Sequence, residues 1–196
     1  MWDQRYAVDE YIYGTEPNSF LAEHAGMLKN PVLSLAEGEG RNAVFLASLG
    51  LEVHAVDGSN VGLAKAQALA RSRGVEIQTE VADLGVFEPA ANYYGSVVSI
   101  FAHLPSAIRE KLYPLVEQCL KPGGIILLEA YSKDQLARDT GGPKDADMLM
   151  TQSKIEGEFP HCEPILLCEL EREVCEGIYH TGVASVVQFI GRKAYP

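Results

Sequence analysis

Short runs rich in apolar and β-branched residues recur through the first two thirds of the chain, at Val32 to Ala36, Glu52 to Val56, Val75 to Val81, Ser96 to Phe101 and Gly124 to Tyr131. Their length and composition are those of strands buried on both faces, the condition of a parallel sheet. The intervening segments have helical patterns. Ser59 to Arg73 is dominated by Ala and Leu, can be capped by Ser59 or Asn60 and can end at Gly74. In Ser106 to Leu120, residues Ile108, Leu112, Leu115, Val116 and Cys119 share a face, Pro114 predicts a kink and Lys121-Pro122-Gly123-Gly124 supplies a stop. A shorter helix is expected from about Arg41 to Ser48. Strand and helix alternate, so the class is α/β.

The last third breaks this rhythm. Ile165 to Val174 and Gly182 to Arg192 are both strand-like, and only a short turn around Gly177 separates them. A parallel crossover needs a dozen or more residues, so these two runs are expected to pair antiparallel as a hairpin. No repeat or long linker divides the 196 residues, and one domain, 1–196, is the expectation. The formal net charge of −11 argues against nucleic acid or an anionic membrane as partner and leaves a small molecule. The N-terminal residues lack the order of a secretory or transit signal, and no apolar run is long enough to span a bilayer; a cytoplasmic location is expected. Cys119, Cys162, Cys168 and Cys175 have no zinc-type spacing and read as reduced, mostly packed thiols, and no metal site is expected.

The first strand runs into Leu35-Ala36-Glu37-Gly38-Glu39-Gly40-Arg41-Asn42-Ala43, two close glycines and then a small residue ahead of a helix. About twenty residues on, Asp57 ends the second strand, where a carboxylate can accept both hydroxyls of a ribose. An adenosine-containing ligand follows. Glu37 and Glu39 decide between such ligands, because two carboxylates beside a helix N-terminus would repel a pyrophosphate. S-adenosylmethionine carries a sulfonium and an ammonium and no phosphate, so acidic residues suit it. Asp83 closes the third strand where an adenine amine would lie, and Leu84 can pack on the ring. The plainer readings are that Asp57 and Asp83 cap the following turn or helix and that Glu37 and Glu39 are solvated.

With these residues in view, the chain resembles the class I S-adenosylmethionine-dependent methyltransferases, especially the small branch of tellurite-resistance and thiol methyltransferases. The matching stretches are the loop AEGEGRNA, AVDGS with Asp57, VADL with Asp83, SVVSIFAHLP, LKPGGIILLEAY and the terminal VVQFIGRK. The resemblance implies a Rossmann-like three-layer sandwich whose seven-stranded, mostly parallel sheet has order 3-2-1-4-5-7-6 with the seventh strand antiparallel. It also implies S-adenosylmethionine as cofactor, S-adenosylhomocysteine as product, and a cofactor site made of Ala36, Glu37, Gly38, Gly40, Arg41, Asn42, Asp57, Gly58, Ser59, Asp83, Leu84 and Phe101. The family usually has an acid at position 34 and a glycine at 36; here Ser34 and Ala36 stand there, which bears on cofactor affinity.

Methyl transfer is an in-line displacement that alignment and desolvation can drive, and a base matters only if the acceptor holds a proton. His103 and Tyr131, at the carboxyl ends of the fourth and fifth strands, are the catalytic candidates; His103 reads as a base, an acceptor-orienting donor or a packed helix-entry residue. Residues 1–30, with Trp2, Arg5, Tyr6, Tyr11 and Tyr13, are a candidate lid or a helix packed on the sheet edge. Residues 132–164 are a candidate substrate-cover insertion, with Arg138 to Pro143 as its mobile part and Met148-Leu149-Met150 as pocket lining or core. The expected reaction is methyl transfer to a small acceptor, a thiol, chalcogen oxyanion or small metabolite. Two alternatives stand, an NAD(P)-dependent oxidoreductase and a non-catalytic adenosine-ligand-binding protein; the oligomeric state is not legible.

Overall fold

The computed structural model describes residues 2–177 and 181–195. The turn expected around Gly177 therefore runs partly outside the described residues, as do Met1 and Pro196.

Among the described residues, seven strands form one sheet: β1 (Val32–Leu35), β2 (Val53–Asp57), β3 (Gln78–Val81), β4 (Tyr94–Ile100), β5 (Leu120–Tyr131), β6 (Cys162–Cys175) and β7 (Thr181–Lys193). Their order is β3-β2-β1-β4-β5-β7-β6, the order implied by the resemblance. β1 to β5 pair in parallel, and β7 runs antiparallel to both β5 and β6, which gives the hairpin expected from the short turn. Six α-helices among the described residues accompany them: α1 (Trp2–Tyr6), α2 (Ser19–His24), α3 (Arg41–Ser48), α4 (Asn60–Ser72), α5 (Ser106–Cys119) and α6 (Gln152–Glu158).

The central strands β1, β2, β4 and β5 are buried on both faces because helices cover both. The edge strands β3 and β6 are largely exposed, so the run Val75 to Val81 is not the doubly buried strand its composition predicts. Val32, Val53, Ala55, Val98, Ile125 and Leu127 pack against α2, α3 and α4. Their neighbours along the strands, Leu33, Leu35, Val56, Val97, Ile126 and Leu128, pack against α5 and α6. This is the period of two expected of a pleated strand, expressed twice in one continuous apolar run. Residues Lys121 to Gly124 depart from the sequence reading. They do not end a helix in a loop but continue β5, which pairs with Tyr94 at Leu120 and resumes with Ser96 at Ile125 after a bulge.

Two buried polar clusters fix the connections. Arg109 on α5 is almost fully buried; its Nε donates to both Glu158 oxygens at 3.0 and 3.1 Å and its Nη1 to the carbonyls of Leu104 and Asp147. It ties α5 to α6 and to the 132–164 segment. Glu129 at the end of β5 accepts from Asn18, Arg172 and Gln188, while Glu176 accepts from Asn18, Arg41 and Arg172. Buried charges persist only when paired and hydrogen-bonded, and these are. No helix among the described residues is long and apolar enough to cross a membrane. Cys119 and Cys162 are buried, with thiols pushed up to about 12 by burial; Cys168 is half-buried and Cys175 exposed.

Candidate active site

A cavity of 920 Å³ opens where the carboxyl ends of β1 to β4 meet, the position at which open α/β sheets collect ligands. Its floor comes from the loops after these strands: Ala36, Glu37, Glu39, Arg41 and Asn42 after β1, Asp57 and Gly58 at β2, Val81 to Leu84 after β3, and Ile100 to Leu104 after β4. Its roof comes from three distant segments. They are the N-terminal strap (Trp2, Arg5, Tyr6, Tyr13, Gly14), the loop Asp139 to Pro143 with Met148, and Thr181 at the start of β7.

Asp57 reaches both ways. Its Oδ2 accepts the Gly38 N–H at 2.9 Å and its Oδ1 the Ser59 N–H at 2.7 Å, so it orders two turns while bordering the cavity. Burial raises its carboxyl above the usual range. Asp83 is exposed and accepts from Gly85, and Leu84 is buried beside it. Ala82, Leu84, Leu104 and Ile108 give this end an apolar lining.

Glu37 and Glu39 are not solvated. Glu37 is buried, with Oε1 accepting the N–H groups of Asn42 and Ala43 at 3.2 and 2.9 Å and Oε2 accepting the Ser34 hydroxyl. Burial, against these hydrogen bonds, raises its carboxyl. Glu39 pairs with Lys65 on α4 and accepts the Ile12 N–H at 2.8 Å. Its charge therefore holds down the strap and is paired with Lys65 where it borders the cavity. The strap is also held by Asp3, which accepts from the Ser59 hydroxyl at 2.5 Å, and by Tyr11, whose hydroxyl donates to the Lys65 carbonyl.

Of the expected site residues, Ala36, Glu37, Arg41, Asn42, Asp57, Gly58, Asp83, Leu84, Phe101 and His103 border the cavity; Gly38, Gly40, Ser59 and Tyr131 do not. Gly38, with φ of 64°, lies under the Tyr6 ring, and a Cβ there would sit 2.7 Å from the Tyr6 hydroxyl. Gly40, with φ of 93°, lets α4 approach: a Cβ would be 2.5 Å from that of Ala66. Both glycines serve close packing behind the loop. Ser59 is the N-cap of α4, accepting the Gly62 N–H at 3.0 Å.

Tyr131 is a correction. Its ring is fully buried beneath Gly142 and stacks on Phe101 and His103 at centroid distances of 4.6 and 5.2 Å. Burial raises its phenol, so it stays protonated and outside the cavity. His103 does border the cavity, but its Nε2 accepts the Tyr131 backbone N–H at 3.1 Å. The neutral ring then carries its proton on Nδ1, and the lone pair a base would use is engaged. Phe101, at φ of 51°, holds a backbone conformation rare for a bulky residue at the mouth of β4. Met148 lines the cavity while Leu149 and Met150 are core.

Sequence reasoning missed Val81, Leu104, Ile108 and Thr181, and it missed the reason Arg41 is held. Arg41 Nη2 donates to Glu176 at 2.6 Å across 135 residues, and its buried Nη1 has no hydrogen-bond partner among the described residues. Among the described residues no group of His, Cys, Asp or Glu could hold a metal ion.

The strand order, the loop after β1 and the carboxylate ending β2 have a counterpart among known proteins. Residues 32–124 match the family model described as a methyltransferase domain. The match takes in β1 to β4 and the glycine loop, a little under half of the chain. Similar folds include a protein solved in work on the conversion of a disulfide bond into a thioacetal group during echinomycin biosynthesis, with 19% identity, a TM-score of 0.77 and coverage of 99% of this chain and 91% of that one. A methyltransferase from Methanosarcina mazei has 15% identity, a TM-score of 0.72 and coverage of 92% and 100%. TehB from Haemophilus influenzae has 19% identity, a TM-score of 0.72 and coverage of 98% of this chain and 65% of TehB. At these identities the likeness is one of fold. No curated protein sequence matches the chain. A methyltransferase domain implies S-adenosylmethionine as cofactor in place of a nicotinamide nucleotide.

Proposed function

We propose that the cavity seats S-adenosylmethionine along the floor and a small-molecule acceptor under the roof, and that methyl transfer proceeds by in-line displacement without a protein base. The observation that carries this reading is that one cavity is lined both by the Asp57 carboxyl and by Arg41, whose Nη2 pairs with Glu176 while its buried Nη1 has no hydrogen-bond partner among the described residues. A ribose diol complements the first and an amino-acid carboxylate the second, and this cofactor contains both. Asp57 would hold the ribose, Asp83 and Leu84 the adenine, and Ala36, Arg41 and Asn42 the amino-acid end, with Phe101 also lining this seat.

The cofactor supplies an electrophilic methyl group on a sulfonium. The chain's contribution is alignment and exclusion of water. The strap and the 139–143 loop close over the floor, and Leu104, Ile108 and Met148 line the wall with apolar surface. A dry wall favours the meeting of a cationic sulfonium with an anionic nucleophile, because the charge is lost as the bond forms. With His103 Nε2 engaged and Tyr131 buried, the acceptor is one that enters already deprotonated, such as the thiolate of a small thiol whose proton has gone to bulk water, in keeping with the tellurite-resistance and thiol branch that the sequence resembles. The net charge of −11 opposes nucleic acid as acceptor.

Titration of the purified protein with S-adenosylhomocysteine, NAD and NADP tests the seat, and S-adenosylhomocysteine formation over a panel of small thiols, amines and hydroxylated metabolites tests the acceptor. Binding of the first ligand alone, with turnover of thiols, is expected. A His103→Phe variant that loses more than about 100-fold in kcat, within the range a general base supplies, would show that a base is used after all.

A further inference from the structure

Position 34 on β1 is a serine with no charge of its own, and the Glu37 carboxylate reaches it from the loop. Ser34 lies on β1 and its hydroxyl donates to Glu37, whose other oxygen accepts from Asn42 and Ala43, the second and third residues of α3. Those are the amides an N-cap side chain normally satisfies, yet the N-cap here is Gly40, which has no side chain to offer. Glu37 thus caps α3 from three residues upstream and pins the loop to β1 in one contact set.

The same two amides belong to the helix end on which glycine-loop folds seat a nucleotide pyrophosphate. We propose that Glu37 is the residue that selects the cofactor: it orders the loop in place of an acid at 34, and by filling the anion seat of α3 it denies that seat to phosphate. Simple repulsion by two acids is not the device, since Glu39 is neutralised by Lys65. Selection comes from occupancy by one buried carboxylate. This deepens the cofactor assignment and rests on the floor of the cavity being the cofactor's seat.

The test uses the whole chain and four forms: wild type, Glu37→Ala, Glu37→Gln, and Glu37→Ala combined with Ser34→Asp. Each is titrated with S-adenosylhomocysteine and with inorganic pyrophosphate, and its fold is followed by circular dichroism. Glu37→Ala is expected to weaken S-adenosylhomocysteine at least about tenfold, the equivalent of 1.4 kcal/mol, and to gain pyrophosphate binding that wild type lacks. Adding Ser34→Asp is expected to restore the first and abolish the second, which a merely structural loss would not do. If Glu37→Ala does not fold, Glu37→Gln, which keeps the volume and one acceptor oxygen, decides the matter by a several-fold loss of S-adenosylhomocysteine affinity. Unchanged affinity in Glu37→Gln overturns the proposal, as does a Glu37→Ala variant that gains no pyrophosphate binding and is not rescued by Ser34→Asp. Failure of wild type to bind S-adenosylhomocysteine would instead refute the reading of the cavity.

Discussion

Replacing Asp57 with Asn removes one charge and one acceptor from a carboxylate that the fold already uses twice. Its two oxygens offer about four lone-pair sites, of which the Gly38 and Ser59 amides take two. Two remain for a ribose diol. A hydrogen bond to a charged group contributes about 1.5–3 kcal/mol and one between neutral groups about 0.5–1.5 kcal/mol. In the Asn variant one ribose bond is lost and the other weakened, a deficit of about 2.5–4 kcal/mol, or roughly 50- to 1,000-fold in affinity. The fold is also touched, because the new amide nitrogen must face one of two N–H donors; losing that bond costs about 1–3 kcal/mol and lowers the melting temperature by about 2–4 °C per kcal/mol at this length. Calorimetric titration with S-adenosylhomocysteine, beside a melting curve for each protein, reads both effects. The wild-type affinity is expected to tighten as pH rises through the raised Asp57 carboxyl, since the ionised form accepts the ribose hydroxyls, and the variant's affinity should be flat there. A folded variant that binds within about threefold of wild type, too small a change for one lost charged hydrogen bond, would refute the ribose assignment.

Arg109→Met removes the guanidinium that joins α5, Glu158 and two carbonyls, and a loss of about 3 kcal/mol is expected in denaturant titration, as for breaking other buried ion pairs. Gly40→Ala forces a Cβ against Ala66 at a left-handed φ; a loss of at least about 2 kcal/mol should appear in the melting curve, and unchanged stability would mean that α3 and α4 are not locked there. Burial raises the Glu37 carboxyl, so above the ordinary carboxylate range the folded chain holds a proton that the unfolded chain has released. Its contribution therefore falls as pH rises through that window, and melting curves of Glu37→Gln against pH should have a shallower decline than wild type.

The fold was legible because its signals are local. Period-two burial, expressed as continuous apolar runs, marks parallel strands, and a hairpin follows from a turn too short for a crossover. The glycine loop and Asp57 were legible for the same reason, since strand, turn and helix N-terminus lie within a few residues of one another. Local patterns also misled. Lys121-Pro122-Gly123-Gly124 carries turn chemistry, yet it forms a bulge within β5, whose flanking residues Leu120 and Ile125 pair with β4, and Tyr131 occupies a strand end that reads as catalytic while its ring is buried outside the cavity. What the sequence by itself determined is the class of fold, the hairpin and the glycine loop between β1 and α3, all consequences of periodicity and backbone geometry along the chain. Only the tertiary structure decided the task of each acidic residue and the walls of the cavity. Glu37 finds Ser34, Glu39 finds Lys65, and Arg41 finds Glu176 across 135 residues, and pairings set by the approach of distant segments leave no periodic trace in the order of amino acids.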